Sequence, residues 1–222
     1  MKIDLHLHTT ASIDGVHSPK TIVRAAREKK IDGVAITDHD SVAGWREAVK
    51  AGKEHGVLVI KGEEIAVLKN GAVVAHVLGL FLDEGIRARS MPEVTDEIHD
   101  QNGLTAIAHP FDRLRGEYGD LWKHSGYFDA VEVFNSHTLF DKDNQIARDF
   151  ADKKKKPMIG GSDGHSKYEV GFGYTEARAD DLEGFRKAIL KGRTRVYGKR
   201  TGLLFHSFSV LAKRGLYPFK EK

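Results

Sequence analysis

The chain of 222 residues contains no cysteine, which excludes disulfide bonds, thiolate metal ligands and cysteine nucleophiles. Any bound metal must therefore be held by nitrogen and oxygen atoms. The sequence also lacks a run of about 18 apolar residues, the length that a membrane-spanning helix needs. Its first residues carry an aspartate and two histidines where a signal peptide would have an apolar run. These absences predict a cytoplasmic protein that has no membrane partner.

An excess of charge of one sign is also missing. Lysine and arginine number 35 and aspartate and glutamate 32, so the net charge is only +3. The sequence has no concentrated basic stripe, the feature typical of a dedicated nucleic-acid binder, and nucleic acid stays possible as a substrate only. Hydrophobic residues make up 40% of the chain and charged residues 30%, which indicates a globular fold. No repeat or linker divides it, and the length predicts a single domain over residues 1–222.

Short β-branched runs alternate with longer helical patterns, which indicates an α/β fold built on a parallel sheet. The predicted strands are Lys2–His8, Gly33–Thr37, Val57–Ile60, Val73–Leu80, Leu104–Ala108, Ala130–Phe134 and Pro157–Gly160. The predicted helices are Pro19–Lys30, Val42–Glu54, Met91–Gln101, Asp143–Lys155 and Leu182–Leu190. Seven strands are one short of a full eight-stranded barrel.

Histidines and carboxylates recur where these strands end. His6 and His8 are two residues apart on the first strand and therefore share a face. The others in chain order are Asp14, His39 between Asp38 and Asp40, Glu63 and Glu64, His76, His109, Asp163 and His165. Because all strands of a parallel barrel point the same way, the side chains at their carboxyl ends should meet. His76 lies inside its strand and joins them only if it faces inward.

A lone histidine at a strand end is most often an ordinary polar residue. The recurrence of histidines in phase with the strands favours a shared site instead. Three others, His55, His99 and His124, have no such placement, and we assign them structural roles.

Five motifs resemble the polymerase and histidinol phosphatase (PHP) superfamily. They are His6-Leu7-His8, Thr37-Asp38-His39-Asp40, Gly62-x-Glu64, Ala108-His109-Pro110 and Ser162-Asp163-Gly164-His165. The resemblance implies a distorted TIM-like barrel of seven β/α units with two or three divalent ions, usually manganese, zinc or iron, that hydrolyses phosphoesters. Carried over by position, it makes metal ligands of His6, His8, Asp14, His39, Glu64, His76, His109, Asp163 and His165. The resemblance also selects Glu64 rather than Glu63 as the metal ligand, a choice that the spacing of residues at the strand end does not make.

The chemistry of this ligand set is consistent with that function. Imidazole and carboxylate suit zinc, manganese and iron without choosing among them. Three divalent ions against three carboxylates would leave about +3 at the site, which favours an anionic substrate. Water held by the metals would supply a hydroxide nucleophile. Asp38, Asp40 and His137 are candidate catalytic proton donors to the leaving group, although Asp38 is expected more often to orient a ligand histidine.

Four residues are candidates for binding substrate. Asn135 resembles a family position near the site, but an asparagine that ends a strand is equally expected in a turn. Arg113, Arg115 and Lys167 follow ligand positions and are candidates for contact with a phosphorylated substrate, although solvated loop charges are the commoner explanation. In residues 203–222, Leu204, Phe208 and Leu211 form an apolar stripe beside Phe205 and predict a tail that packs on the barrel.

The main functional hypothesis is hydrolysis of a small phosphorylated metabolite or nucleotide. The long insertions of polymerase-associated members are absent, and the short segment between His109 and Asp163 leaves the substrate open. One alternative is a 5′- or 3′-exonuclease or oligoribonuclease that acts on nucleic acid ends, and another is a histidinol-phosphate phosphatase. More distant alternatives are a carbon–nitrogen hydrolase and a non-catalytic metal-binding module. The sequence leaves the oligomeric state open.

Overall fold

The computed structural model describes residues 1–113, 115, 121–202, 211–216 and 220–221, and these residues form an α/β fold. The strands are β1 (Lys2–Asp4), β2 (Gly33–Ile36), β3 (Leu58–Lys69), β4 (Ala72–Leu80), β5 (Leu104–Ile107), β6 (Ala130–Asn135), β7 (Met158–Gly161), β8 (Gly173–Ala177) and β9 (Thr194–Gly198). The helices are α1 (Pro19–Glu28), α2 (Trp45–His55), α3 (Met91–Asp100), α4 (Asp141–Lys154) and α5 (Leu182–Leu190).

The strands form one sheet in the order β7-β6-β5-β4-β3-β2-β1-β8-β9. The edge at β7 curls back toward β1: Leu7 and Gly164 form a parallel bridge, and the Gly164 carbonyl accepts from the backbone N–H of His8 at 2.9 Å. Thr175 of β8 ties to β7 as well, because its hydroxyl bonds both the N–H and the carbonyl of Gly160. The sheet is therefore a nearly closed barrel, which confirms the predicted distorted TIM-like architecture.

The sheet differs from the predicted all-parallel barrel in two strands. β4 runs antiparallel to both β3 and β5, and β8 runs antiparallel to both β1 and β9. The count of seven strands was also wrong, because the sheet has nine described strands and β8 and β9 were not among the seven. The remaining seven strands, β1, β2, β3, β5, β6, β7 and β9, point the same way.

Two strand ends differ from the prediction in ways that matter for the site. β1 ends at Asp4, where the Asp4 carboxylate accepts the backbone N–H of His6 and interrupts the strand. β3 does not end at Ile60 but runs to Lys69, since it pairs with β4 as a long hairpin. Glu64 therefore lies within a strand rather than after one. The hairpin extends the sheet beyond the point where β4 begins to pair with β5 at Val77.

Helix boundaries follow the local signals in the sequence. Ser18 caps α1 by accepting the backbone N–H of Thr21, and Pro19 occupies the first helical position, where the missing N–H costs nothing. Gly56 ends α2 in the left-handed conformation with φ of 66°, which a glycine adopts without strain. The other three helices start or stop within about two residues of their predicted ends.

The core has two parts. One cluster packs the apolar faces of the helices on the sheet, with Ile22, Trp45, Ile98 and Phe150 among its members. The other draws residues from β1 to β7 and from α5, among them Ile3, Ile60, Leu78, Leu104, Ala130, Ile159 and Phe185. Burial of one such large side chain contributes about 1.5–3 kcal/mol. Among the described residues, the helices are too short or too polar to cross a lipid bilayer.

Candidate metal centre

The side chains that the sequence predicts as metal ligands gather at one end of the barrel. His6 and His8 follow β1, Asp14 lies in the loop before α1, and His39 follows β2. Glu64 and His76 come from the β3–β4 hairpin, His109 follows β5, and Asp163 and His165 follow β7. His76 reaches this end because β4 runs in reverse and the hairpin extends beyond β5. The structure thus supplies the inward orientation that the sequence left open.

Glu64 lies at the centre of the cluster and is fully buried. Its Oε2 atom is 3.1–3.3 Å from a ring nitrogen of three histidines, namely His39, His6 and His8. Its Oε1 atom is 2.9 Å from Nε2 of His109 and 3.9 Å from Nδ1 of His76. One carboxylate therefore connects five histidines from four segments of the chain.

Two aspartates complete the cluster, Asp163 after β7 and Asp14 from the loop before α1. Asp163 Oδ1 is 3.1 Å from Nε2 of His8 and 3.6 Å from Nε2 of His6. Asp14 Oδ2 is 3.5 Å from Nε2 of both His39 and His165. The His8 ring lies between those of His39 and His165, with both centroid separations at 4.5 Å. The two aspartates thus face the same histidine group from different sides.

In His6 and His165, the Nδ1 atom makes a hydrogen bond, and the Nε2 atom of the same ring faces a carboxylate. Nδ1 of His6 donates to Oε1 of Glu132 at 2.9 Å, and Nδ1 of His165 donates to the backbone carbonyl of Asp163 at 2.9 Å. Each neutral ring then presents the lone pair of Nε2 to a carboxylate oxygen, an arrangement that needs a cation between them. A histidine that donates to a carboxylate while its other nitrogen binds metal is a recurrent arrangement in proteins.

Protonation of the histidines is one way to satisfy these contacts. Burial disfavours the charged form of His8, but hydrogen bonds to Asp163 and Glu64 outweigh it and raise its pKa to about 10. Burial also opposes the charge on His6, and Asp163, Glu132 and Glu64 still raise the pKa of that ring well above its ordinary value. The site therefore attracts positive charge strongly, and protons and metal ions compete for the same nitrogen atoms.

The residues present fit divalent metal ions. Buried polar atoms without a hydrogen-bond partner include Nε2 of His6 and Oδ1 of Asp14. Three groups of ligand atoms lie within 4.8 Å of one another: His8 with Asp14, His39 and His165; His6 with His8 and Glu64; and His39 with Glu64 and His76. Nitrogen and carboxylate donors in this mixture suit zinc, manganese and iron. The identity and number of the ions stay predictions.

The site opens to solvent beside three side chains. His39, His76 and Arg115 are 28%, 21% and 26% exposed, whereas the Glu64 and Asp163 side chains are fully buried. Burial and the neighbouring charge on His109 lower the pKa of His76 to about 4, although Glu64 opposes the shift. His76 is therefore neutral near pH 7 and available as a ligand at the opening.

Two candidate ligands have strained backbone. His109 has φ of 29° and Asp163 has φ of 51°, a region that side chains other than glycine adopt at a cost of about 1–3 kcal/mol. Hydrogen bonds hold both residues, because the His109 N–H donates to Glu132 and Arg115 lies 2.7 Å from Asp163 Oδ2. Such strain is concentrated at functional sites in proteins.

Glu132 and Glu169 are buried carboxylates that the sequence did not identify as part of the site. Oε2 of Glu132 accepts from the His109 N–H and from Asn135 Nδ2, while its other oxygen binds the His6 ring. Glu169 accepts from the backbone N–H of His165, and its Oε1 lies 3.4 Å from Nδ1 of His137. The one local sign that Glu132 belongs to the site is its charge inside the apolar run Val131-Glu132-Val133. The sequence around Glu169 gives no such sign.

The three candidate proton donors have different environments. Asp38 is fully buried, and its two oxygens accept the N–H and the hydroxyl of Thr9, so it fixes the loop after β1 rather than a ligand histidine. Asp40 accepts the Ala66 N–H from the hairpin and is 38% exposed. The His137 ring is buried 5.0 Å from the His165 ring. Proximity to the cluster therefore favours His137.

The structure separates the four candidate substrate-binding residues. Arg115 lies at the opening, 2.7 Å from Asp163. Asn135 is fully buried and donates to Glu132 and Asp163, which favours a role in holding the ligand Asp163 over contact with substrate. Arg113 instead binds Asp143 and lies 4.8 Å above the Phe140 ring.

Other residues named from the sequence lie elsewhere. The Lys167 N–H donates to the His17 ring, and its ammonium group lies 5.2 Å from the ring of Tyr168. His55 ends α2, His99 binds Asp129 from α3, and His124 precedes a short 3₁₀ helix (Ser125–Tyr127). In the predicted tail, Leu204, Phe205 and Phe208 lie outside the described residues, and Leu211 is exposed.

Comparison with known proteins identifies the family. The model of the PHP domain family matches residues 4–181. An uncharacterized protein of Methanocaldococcus jannaschii is 37% identical over 158 residues, which cover 66% of this chain and 89% of that protein. A 5′-3′ exoribonuclease of Haemophilus influenzae is 39% identical over 131 residues, which cover 59% of this chain and 43% of the exoribonuclease.

A solved structure has the same fold. The crystal structure of a protein from Bifidobacterium adolescentis, provisionally assigned as a metal-dependent phosphoesterase, aligns with a TM-score of 0.66 and 19% identity. The alignment covers 91% of this chain and 97% of that protein. With the family model matched over most of the barrel and the five motifs brought together at one end of it, the chain belongs to the PHP domain family.

Proposed function

We propose that this protein hydrolyses a phosphoester of a small phosphorylated metabolite or nucleotide. The observation that carries the proposal is the Glu64 carboxylate, fully buried and within 3.9 Å of ring nitrogens of five histidines. A buried anion surrounded by imidazole nitrogens has little use in a purely structural core, because burying charge without a fixed partner is costly. It fits a site that holds multivalent cations.

Nine residues would hold two or three zinc, manganese or iron ions. They are His6, His8, Asp14, His39, Glu64, His76, His109, Asp163 and His165. Bound divalent ions supply a nucleophile from water near neutral pH and stabilise the charge that develops on the phosphoryl group. The two nitrogen-bound protons on His6 and His165 keep Nε2 of each ring free for this role. No side chain is required as a nucleophile.

Arg115 would bind the phosphoryl group of the substrate. Its side chain lies at the opening of the site and already contacts a carboxylate oxygen of Asp163 at 2.7 Å. Burial disfavours its charge, but Asp163, Glu64 and Asp112 raise the pKa of the guanidinium further, so it stays cationic. A guanidinium matches phosphate geometry through paired N–H donors. Arg113, Lys167 and Asn135 remain weaker candidates for substrate contact.

Protonation of the leaving group would fall to His137. Its ring lies beside His165 and within 3.4 Å of Glu169, which limits its orientation. Asp40 is the second candidate, since its carboxylate is partly exposed beside the hairpin that carries Glu64. Asp38 is the weakest of the three because Thr9 occupies both of its oxygens.

The second candidate function is exonucleolytic cleavage of oligonucleotides. The relative from Haemophilus influenzae, named a 5′-3′ exoribonuclease, favours it. The two functions differ in their dependence on salt, because an oligonucleotide contacts a protein through several phosphates and a monophosphate through one. Affinity for an oligonucleotide should fall steeply with salt, and affinity for a monophosphate only weakly. A cytoplasmic location belongs to the proposal in either case.

The test combines metal analysis with substrate turnover. Protein purified without chelator is analysed for metal content. Phosphate release from mononucleotides and bisphosphates is measured, and so is the release of phosphate and of nucleotides from short oligonucleotides. Glu64→Gln is the decisive variant and Glu63→Gln its matched control. Glu63 is the neighbouring buried carboxylate, but it accepts the Ile86 N–H away from the histidines.

We expect two or three metal ions per chain, turnover of a small phosphorylated compound, and loss of metal and activity in Glu64→Gln but not in Glu63→Gln. Nucleotide release from oligonucleotides alone would favour the exonuclease. Absence of metal after reconstitution, or full activity of Glu64→Gln, would refute the proposed function.

A further inference from the structure

The loop between β1 and α1, residues 9–18, supplies two groups to the candidate metal centre. Asp14 lies 3.5 Å from ring nitrogens of His39 and His165. The Ser12 hydroxyl is 3.3 Å from Nδ1 of His8 and accepts the backbone N–H of His39 at 2.8 Å. The position of this loop therefore affects three histidines of the site.

Within the loop, few backbone bonds fix its shape. The Thr10 N–H donates to His17 and the Ser12 N–H donates to Thr9, while the Val16 N–H donates outward to the carbonyl of His165. The carbonyl groups of Ser12, Ile13 and Val16, on both sides of Asp14, all bind residues far along the chain. Contacts from outside the loop are therefore a large part of what holds Asp14 in place.

Two residues supply these contacts, and we call Lys220 and Glu221 the 220–221 clamp. The Lys220 ammonium group donates to the carbonyls of Ser12 and Ile13, at 3.1 and 2.9 Å. The Glu221 N–H donates to the carbonyl of Val16 at 3.0 Å. The clamp thus bonds the chain within two residues of Asp14 on both sides.

The Glu221 side chain fixes the other end of the loop. Its carboxylate accepts the Ser18 N–H at 2.7 Å and the Thr21 hydroxyl at 3.2 Å. The first turn of α1 has no acidic residue of its own, so Glu221 provides the negative charge that a helix N-terminus favours. The start of α1 and the loop are consequently held by the same two residues.

We propose that Lys220 and Glu221 are positioning residues of the metal centre, which hold the loop of residues 9–18 so that Ser12 and Asp14 meet His8, His39 and His165. The inference rests on the proposed function for the role of those histidines. The geometry of the clamp itself does not depend on that function. Without the clamp, the three carbonyls would turn to water and Asp14 would lose its fixed distance to the two rings.

Hydrogen exchange of the metal-free protein tests the positioning directly. Lys220→Met removes the ammonium donors but keeps the aliphatic chain, and Lys220→Arg restores donors. Lys213→Met is the matched control, because Lys213 is an exposed lysine among the helical residues 211–213. We expect faster exchange of the amides of residues 10–18 in Lys220→Met, with protection of β6 unchanged. Lys220→Arg should restore most of the protection, and Lys213→Met should match the wild type.

A second measurement connects the clamp to the metal. Cobalt affinity and the visible absorption of the cobalt-loaded protein are compared for Lys220→Met, Glu221→Gln and the control. An outer residue that orients ligands changes metal affinity by about 10-fold or more, and we expect a loss of about 10-fold with an altered absorption band. A shift of both properties in the clamp variants alone would support the proposal.

The outcomes distinguish the clamp from the proposed function. Unchanged exchange of residues 10–18 in Lys220→Met would overturn the clamp, as would loss of protection throughout the barrel, since that would indicate general stabilisation instead. Wild-type protein that binds no cobalt would refute the metal centre, and the exchange comparison would still decide whether Lys220 holds the loop.

Discussion

Glu132→Gln should weaken metal binding by about 100-fold. Glu132 is buried and joins two candidate ligands, because Oε1 accepts from the His6 ring while Oε2 accepts from the His109 backbone and from Asn135. Glutamine has the same shape but replaces one oxygen with an amide group that donates. In either orientation of the glutamine side chain, its NH₂ group faces an N–H group whose hydrogen bond the carboxylate accepted.

The two orientations damage the site in different ways. An amide group that faces His6 forces the ring proton onto Nε2, the nitrogen that lies 3.2 Å from Glu64, and removes the lone pair that a metal needs. An amide group that faces His109 leaves the backbone N–H of that strained residue without its acceptor. Loss of one outer partner of a metal ligand costs about 10–100-fold in affinity, or about 1.4–2.8 kcal/mol. Because two ligands share Glu132, the upper value is expected.

The assay is calorimetric titration of chelator-treated protein with Zn²⁺ and Mn²⁺, with the number of bound ions measured by elemental analysis. Glu63→Gln serves as the control, since Glu63 binds the single backbone N–H of Ile86. Glu132→Gln protein that binds the same number of ions with wild-type affinity would refute the assigned tautomer of His6.

Three further predictions concern stability. Burial raises the pKa of Asp4 to about 6 from 3.8, so its contribution to stability is complete below pH about 4 and is lost as the pH rises through about 6. The free energy of unfolding in urea is measured for the wild type and for Asp4→Asn, and the wild-type value minus the variant value should fall by up to about 3 kcal/mol between pH 4 and 7. A difference that stays constant over this pH range would contradict the prediction. Phe150→Ala should cost about 3–5 kcal/mol in urea unfolding, because the ring is buried and lies 4.7 Å from the Trp122 ring; a loss below about 1 kcal/mol would contradict the packing. Ser18→Ala should lower the free energy of unfolding by about 1 kcal/mol through loss of the α1 cap, and Ser18→Asp should retain it.

Local signals were sufficient for most helices and for the type of fold. The Ser18 cap with Pro19 and the glycine after α2 act within a few residues of the helix ends, and the structure confirms both. Alternation of strands and helices likewise predicted an α/β barrel. The strands β8 and β9 were not among the predicted seven because each has only five residues and no apolar run marks either of them.

Strand direction depends on tertiary structure. The sequence predicted a parallel barrel, in which the carboxyl ends of all strands lie at one face. His76 is instead brought to that face by a reversed strand, because β4 pairs antiparallel with the extended β3. The sequence Val73–Leu80 fits a strand of either direction, since side chains alternate between faces in both. Only the pairing of β4 with β3 and β5 decides where His76 lies.

The sequence by itself determined the chemistry of the candidate centre: no sulfur ligand, six histidines and three carboxylates in phase with the strands, and a family motif that selects Glu64 over Glu63. Tertiary structure decided which groups hold those ligands. Glu132 meets His6 across 126 positions and Glu221 meets Ser18 across 203, and no local pattern records such a distance. The physical reason is that residue types and helix caps are local properties of the sequence, whereas hydrogen-bond partners between distant segments are fixed only when the barrel closes.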